Sequence, residues 1–582
     1  MAGKYFSKKG KDGFYLPGEE IKIDKSSSFK SFSCEKDPVS VCKNRVLAAL
    51  LGFIAVYTII AARLFDLCII PNLHFSSEAD DASPGIYAQN PIRRADIIDR
   101  NGTIIATSLP TVNLYANPRK VLNPKKAAEE LVRVLPELKY DSVYKKLTRR
   151  GSFVYLKRNL TPSQQYQINY LGIPGLEFEN GEKRVYPHKN LFAHVIGTTN
   201  IDNIGISGIE KEMNERLTQS DIPLMLSIDV GVQDTIREML KEGMEKFKAE
   251  GATAVLLDVK TSEIVSMVSL PDYDPNINKV KKEQALFNMA TKGVYEPGSV
   301  LKIFNTAMSL ESGKVKVADR FDASEPLKLK HNVIKDYRGE NRWLSVPEIL
   351  VYSSNIGSAR MALKVGGNEQ RNFLEKLGFF EPLSIEVAEK GQPLVPKKWS
   401  EGTIATVAFG YGLAVSPLHV VSGYAAMING GIYHSPTLIK GSSKTKDGHR
   451  VISFNTSKAM RDLMRLVVTD GSGRRANVPG YEVAGKTGTA NKLSAQGKYV
   501  DKKVRTTFVA AFPISNPKYA LIVMLDEPKP LKETWGFVTS GWNTVPTAAK
   551  IIEAIAPQLN IKANYDLDEL RRNRIIEAAY SR

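Results

Sequence analysis

The chain has 582 residues, too many for one compact core, so two or three domains are expected. Its composition is ordinary for a globular protein, at 43% hydrophobic, 24% charged and 8% aromatic, which excludes a disordered or fibrous chain. The net charge of +18 is spread along the sequence, with no dense basic cluster interleaved with aromatics, so nucleic acid is not the expected partner. The charge instead suits anionic headgroups, a pyrophosphate-bearing lipid substrate or an anionic wall polymer.

In chain order, residues 1–45 read as a basic cytoplasmic tail. Val46 to Ala62 follow as an uncharged apolar run, and residues 46–70 are predicted to be a transmembrane helix ending at Pro71. Lys43 and Arg45 abut the run, which places the N-terminus in the cytoplasm and everything past residue 70 outside the inner membrane. Arg63 and Asp66 fall at the outer end of this helix, either just above the bilayer or as a surface for a membrane partner. The three cysteines, Cys34, Cys42 and Cys68, all lie in the tail and helix, so the exported part is expected to fold without disulfides. The seven histidines show no ligand spacing, and neither a metal nor a cofactor is expected.

Residues 71–92 are polar and Pro/Ser-rich and read as a linker. An α+β domain is expected over 93–225. It opens on a β-hairpin signalled by Asn101-Gly102 and carries helical periodicity over 124–150. A third unit is expected over 226–560. LMLSIDVGVQ, Thr253 to Val259 and Ile264 to Leu270 read as strands around an amphipathic helix from Val232 to Lys248. Tyr481 to Ala484, Thr506 to Phe512 and Tyr519 to Leu525 read as strands, followed by a helix from Thr547 to Ile555. Strands at both ends with helices between them predict an α+β fold whose sheet joins distant parts of the chain. Residues 561–582 read as a charged tail.

The chemistry is expected around Ser299. Pro297-Gly298 makes a turn leading into a helix, on which Ser299 and Lys302 share a face. An amine desolvated by Val300, Leu301, Ile303 and Phe304 is held neutral and takes the serine proton. The S-x-x-K pattern alone is weak: it recurs at Ser27–Lys30, Ser142–Lys145 and Ser443–Lys446. The ordered set is specific: Ser353-Ser354-Asn355 follows, then Lys486-Thr487-Gly488-Thr489 at the end of a predicted strand. Gly485 and Gly488 leave room for an extended peptide to pair with the strand edge. Lys486, Thr487 and Thr489 offer a charge and hydroxyls to a terminal carboxylate, Ser353 relays a proton, and Asn355 holds a peptide amide or orients Lys302.

This S-x-x-K, S-x-N, K-T-G series resembles the signature of penicillin-binding proteins and serine β-lactamases. Arg94 with Asp99 to Gly102 is similar to the first pedestal motif of the class B, monofunctional members, with Ala95 where that motif usually has glycine. Arg184-Val-Tyr186-Pro187, His194 to Gly197 and Gly208 to Glu210 match later pedestal motifs, expected to hold the two domains together. Ser227 to Asp229 with Gln233, Pro271 to Asn276 and Phe409 to Gly412 match parts of the catalytic domain.

The resemblance implies a single N-terminal transmembrane helix, an elongated α+β pedestal of dimerisation type and a transpeptidase domain with helices on both sides of its sheet. It implies a D-Ala–D-Ala transpeptidase of the Gram-negative septal kind acting through acyl-Ser299 and inhibited by β-lactams. Its oxyanion is expected between the backbone N–H groups of Ser299 and Thr489. An elongation transpeptidase, a D,D-carboxypeptidase and a β-lactam-binding scaffold or sensor are the alternatives. A β-lactamase is disfavoured, because no E-x-x-L-N-like element lies between Asn355 and Lys486. Neither a glycosyltransferase domain between residues 70 and 225 nor a repeated domain after the last helix is expected. The implied partners are stem peptides as donor and acceptor, and a polytopic glycosyltransferase with other division membrane proteins.

Overall fold

The computed structural model describes residues 47–61, 93–277, 282–330, 332–442, 447–493 and 499–565. The tail 1–45, the linker 71–92, all three cysteines, Arg63, Asp66 and residues 566–582 lie outside the described residues. Two compact units are present, residues 1–88 and residues 89–582. In the first, residues 47–61 form a helix, a length of about 22 Å at 1.5 Å per residue. Its apolar side chains, among them Leu47, Leu51, Phe53, Val56 and Ile59, are all exposed. No helix among the described residues is long and apolar enough to cross a membrane.

The second unit begins with a five-stranded sheet: β1 (Ile97–Ile98), β2 (Ile104–Ala116), β3 (Val154–Leu160), β4 (Leu176–Val185) and β5 (Leu224–Met225). β1 and β2 are the expected hairpin, with Ile97 opposite Ala106 and Ile98 opposite Ile104. The Asp99 carboxylate closes its turn by accepting from the Asn101 and Thr103 amides at 2.8 Å, and Gly102 takes the positive φ of 89° the turn needs. Helices Pro124–Val134 and Tyr140–Leu147 occupy the periodic stretch. Asn123 caps the first, and Leu131, Leu135, Val143 and Leu147 pack with Leu114 and Leu156 in a core of their own. β5 returns to lie parallel to β1.

The second sheet sets the site. Its strands are β6 (Gly251–Asp258), β7 (Ile264–Leu270), β8 (Ala484–Leu493), β9 (Tyr499–Phe512) and β10 (Tyr519–Asp526), in the order β8-β9-β10-β6-β7, all antiparallel. Both faces are buried, which is why β6 and β7 read as continuous apolar runs. Ala254, Leu256, Leu521 and Val523 meet helices Val230–Lys246 and Thr544–Gln558 on one face. Val255, Leu257, Ala520 and Ile522 meet helices Leu301–Glu311, Pro417–Ile428 and Phe454–Thr469 on the other. The fold is α+β, with helices on both sides of a sheet assembled from distant segments.

Three expectations are corrected. LMLSIDVGVQ is strand only at Leu224–Met225. Ser227 then turns away to bond Leu438 O through its amide and Ile264 O through its hydroxyl, and Asp229 caps a helix already begun at Val230. The Lys486-Thr487-Gly488 run lies inside β8 rather than at a strand's end, because β8 begins only at Ala484 and runs on to Leu493. The motif residues before 225 also divide into two groups. Tyr186, His194 and Gly208 do bond residues beyond 225: Tyr186 with Asn276 (3.0 and 2.9 Å), His194 with Asn288 and Ala285, and the Gly208 amide with Glu389. Arg94, Arg184 and Glu210 instead bond one another, in a buried cluster within the first sheet's own domain.

Candidate active site

Ser299 sits in a 3-10 turn, Gly298–Val300, that runs directly into the helix Leu301–Glu311. Gly298 has φ of 56°, and a Cβ there would stand 3.0 Å from Thr489 O, so the turn lies hard against β8 and requires glycine. On β8, a Cβ at Gly488 would come within 2.7 Å of Pro297 O. These two close approaches set Ser299 beside the edge strand.

One turn on, Lys302 is fully buried among Val300, Leu301, Ile303 and Phe304, all 1% exposed or less. Its Nζ lies 3.0 Å from Ser299 Oγ, 2.8 Å from Asn355 Oδ1, 2.5 Å from Ser353 O and 3.1 Å from Ser353 Oγ. Burial drives this amine well below the usual lysine range, the charge of Lys486 pushes the same way, and Asp336 opposes them. Lys486 is also fully buried and reaches Ser353 Oγ at 2.9 Å, so Ser353 stands between two amines. Burial brings Lys486 down to about 7.

Ser353 has φ of 59°, a left-handed conformation that costs a non-glycine residue and has to be held in place. Asp336 holds it. Its carboxylate accepts from Ser354 Oγ (2.7 Å), the Asn355 amide (2.5 Å) and the Ile356 amide (3.0 Å), gripping the start of the helix Asn355–Val365. Asn355 Nδ2 donates to Lys335 O at 2.9 Å, which leaves Oδ1 directed at Lys302. Thr487 Oγ1 is 2.6 Å from Ser472 Oγ, and Thr489 Oγ1 accepts from the Ser540 amide at 3.1 Å.

The structure thus brings Ser299, Lys302, Ser353, Asn355 and Lys486 into one hydrogen-bonded cluster, with Thr487, Gly488 and Thr489 following along the same edge strand. Asp336, Ser472 and Ser540 are additions the sequence did not single out. Asp336 lies in the loop KDYRGE over 335–340, whose residues carry no periodic or motif signal.

Residues 252–551 match the penicillin-binding protein transpeptidase domain, and residues 89–221 match the penicillin-binding protein dimerisation domain. The chain belongs to the penicillin-binding protein family. Its two domains are those of the class B members. It is 36% identical over 497 residues to a probable peptidoglycan D,D-transpeptidase FtsI of Caulobacter vibrioides, covering 83% of this chain and 84% of that one. It is 29% identical over 506 residues to the peptidoglycan D,D-transpeptidase FtsI of Escherichia coli, covering 81% and 84%. Among solved structures, penicillin-binding protein 3 of Mycobacterium tuberculosis in complex with aztreonam shares the fold, with a TM-score of 0.64 at 22% identity over 81% of this chain and 98% of that one.

Two buried amines in a penicillin-binding protein carry a stability signature. Unfolded Lys486 titrates near 10.5 and folded Lys486 near 7, so between those values the unfolded chain binds more protons. This lysine's contribution to stability is therefore full above about pH 10.5 and lost as pH falls towards 7. Lys486→Met is expected to raise stability at pH 7 by on the order of a few kcal/mol and to gain little near pH 10. Denaturant unfolding at the two pH values checks it; equal gains at both would contradict a pKa origin.

Proposed function

We infer that this chain is a serine D,D-transpeptidase that cross-links peptidoglycan stem peptides at the division septum. The observation that carries the reading is the placement of Lys302 Nζ against Ser299 Oγ inside an apolar pocket. A neutral amine has two hydrogens and one lone pair. The hydrogens go to Ser353 O and Asn355 Oδ1, which can only accept, and the lone pair is left for the Ser299 proton.

The reaction follows from that proton count. Ser299 Oγ bonds to the carbonyl carbon of the penultimate D-alanine as its proton passes to Lys302. The oxyanion is stabilised by the backbone N–H groups of Ser299 and Thr489. Ser353, 3.1 Å from Lys302 and 2.9 Å from Lys486, relays the proton to the nitrogen of the terminal D-alanine as the C–N bond breaks. Protonated Lys486, with Thr487 and Thr489, holds the leaving residue's carboxylate; the free edge of β8 receives the peptide backbone, and Gly488, where a side chain would strike Pro297 O, lets the Ser299 turn lie against that strand. An amine of a second stem peptide then bonds to the acyl carbon, the C–O bond to Ser299 Oγ breaks, and the amine's proton returns through the same relay to Oγ, restoring the Ser299 hydroxyl. β-Lactams acylate Ser299 by the first half of this path. The two FtsI relatives, named peptidoglycan D,D-transpeptidases, support the septal assignment.

The apolar run 46–62 beside Lys43 and Arg45, and the exposed apolar side chains of the helix over 47–61, support a single membrane anchor with the catalytic domain in the periplasm. The boundaries proposed are a tail over 1–45, an anchor over 46–70, a linker over 71–92, a pedestal over 93–225, a transpeptidase domain over 226–560 and a tail over 561–582. Arg63 and Asp66 in the anchor suit contact with a polytopic glycosyltransferase.

Ser299→Ala is expected to abolish covalent labelling by a fluorescent penicillin with the unfolding transition unchanged. Labelling at the wild-type level would remove the nucleophile assignment. In growing cells a fluorescent fusion is expected at midcell; a side-wall distribution would favour elongation instead.

A further inference from the structure

A second charged feature lies three residues before the nucleophile and has no part in the cluster around Lys302. Glu296 immediately precedes the Pro297-Gly298 turn, so its Cα lies within about 11 Å of that of Ser299 along the chain. The carboxylate is fixed from two sides: Oε1 accepts from the Gly412 amide at 2.7 Å, and both oxygens lie 3.2 Å from the Tyr499 hydroxyl. Among the described residues it has no ion-pair partner. Arg505, the cation whose field reaches it, is paired with Asp526 at 3.1 Å and lies over the Tyr295 ring at 4.3 Å. Burial raises the Glu296 carboxyl, as expected of an acid without a partner cation.

The surroundings suit a cation. Tyr411 and Tyr499 meet edge to face at 5.4 Å beside the carboxylate, and Tyr499 is 48% exposed, so the group opens to solvent. Aromatic faces next to a carboxylate attract an ammonium by both charge and quadrupole. A carboxylate also has about four acceptor positions, so the Gly412 and Tyr499 contacts leave it able to take another donor. Tyr411 in turn reaches the backbone of Asn491, five residues beyond Lys486 on the edge strand and about 16 Å along it. A peptide whose terminal carboxylate rests at Lys486 and whose backbone follows β8 comes level with this group several residues from its end.

We propose that Glu296, with Tyr411 and Tyr499 beside it, forms a subsite for a primary ammonium group of a stem peptide. The proposal rests on the transpeptidase reading and adds the part of the substrate that is recognised away from the scissile bond. The ammonium has two sources, the side-chain amine of the donor's diamino acid and the amine of the incoming acceptor.

Kinetics of the full chain in detergent separate them. In the donor arm, D-alanine release is followed from a pentapeptide with a free side-chain amine and from its N-acetylated form. In the acceptor arm, transfer to a diamino-acid peptide is followed from one uncharged thioester donor. A donor-amine subsite gives the wild type a KM about tenfold lower for the free amine, and E296Q collapses that ratio towards one. An acceptor-amine subsite leaves the donor ratio near one and raises the acceptor KM about tenfold in E296Q. Y499F moves the same parameter in the same direction and serves if E296Q does not fold. A wild-type donor ratio near one, together with an acceptor KM unmoved by either variant, overturns the proposal. Wild-type protein that releases no D-alanine from any donor is a separate failure, of the functional reading beneath it.

Discussion

Lys302→Met is expected to lower the second-order rate of Ser299 acylation by penicillin about 10²- to 10⁴-fold, the range for loss of a positioned general base. The substitution keeps the length and apolar stem of the side chain and deletes only the amine. Folding should be nearly unaffected because two effects oppose. A desolvated amine is removed, which stabilises. Ser353 O and Asn355 Oδ1 lose their donor, which costs about 1–3 kcal/mol for each acceptor left buried and unpaired. Lys302→Arg distinguishes base from scaffold, since a guanidinium supplies donors to both oxygens but does not lose its proton in a protein. Acylation is expected to be lost in the arginine variant as fully as in the methionine variant. Stopped-flow acylation kinetics checks both, and an active arginine variant would show that Lys302 only positions its neighbours.

The same amine fixes a pH dependence with a definite sign. As the proposed base, Lys302 can take the Ser299 proton only when neutral, so acylation is expected to rise with pH through its titration, which burial places well below the ordinary lysine value. The charge on Lys486 is the second cause of that lowering. Lys486→Met therefore moves the rising limb of the acylation profile to higher pH, apart from any effect on substrate binding.

How far the sequence could be read divides along a physical line. The contact of Ser299 with Lys302 was legible only because Ser353, Asn355 and Lys486 follow in order: a spacing of three puts two side chains on one helical face wherever it occurs, and S-x-x-K recurs elsewhere in the chain. The β1–β2 hairpin was legible because Asn101-Gly102 writes its turn locally. The strands β6, β7, β9 and β10 were visible as apolar runs, but their neighbours were not. Pairing of β10 with β6, with Leu521 opposite Leu256, is a contact between distant segments that no local pattern encodes. The start of β9 at Tyr499 was hidden by the polar run Asp501-Lys502-Lys503, which breaks the alternation a strand normally shows. Asp336 was illegible for a related reason. Its work is to hold the left-handed Ser353 and the start of the following helix, and a loop carboxylate shows that role only once folding has brought it to them. Glu296 stands beside the Ser299 motif in the sequence, yet its partners Gly412 and Tyr499 come from two remote segments.

Glu210→Ala is expected to destabilise the domain containing the first sheet by about 3–5 kcal/mol, far more than any exposed ion pair in the protein. The Glu210 side chain is 0% exposed, and those of Arg94 and Arg184 are 1% exposed. Arg94 Nε reaches one carboxylate oxygen at 2.7 Å, and Arg184 Nε reaches the other at 2.7 Å. Removing the carboxylate leaves two buried guanidiniums facing each other, and neither can shed its charge. The second anchor of Arg94, Asn214 Oδ1 at 2.9 Å, supplies a hydrogen bond but no charge. By contrast, Lys120 and Glu177 meet at 3.5 Å with side chains 63% and 43% exposed, and Lys120→Ala should change stability by less than about 0.5 kcal/mol. Denaturant unfolding of the two variants beside wild type checks the contrast. The origin of the loss is tested by replacing Arg94, Arg184 and Glu210 together with Met, Met and Leu. If the penalty is uncompensated charge rather than lost packing, the triple variant recovers most of the stability that Glu210→Ala forfeits. A triple variant as unstable as the single one would mean that the cluster's value lies in the shape it gives the domain.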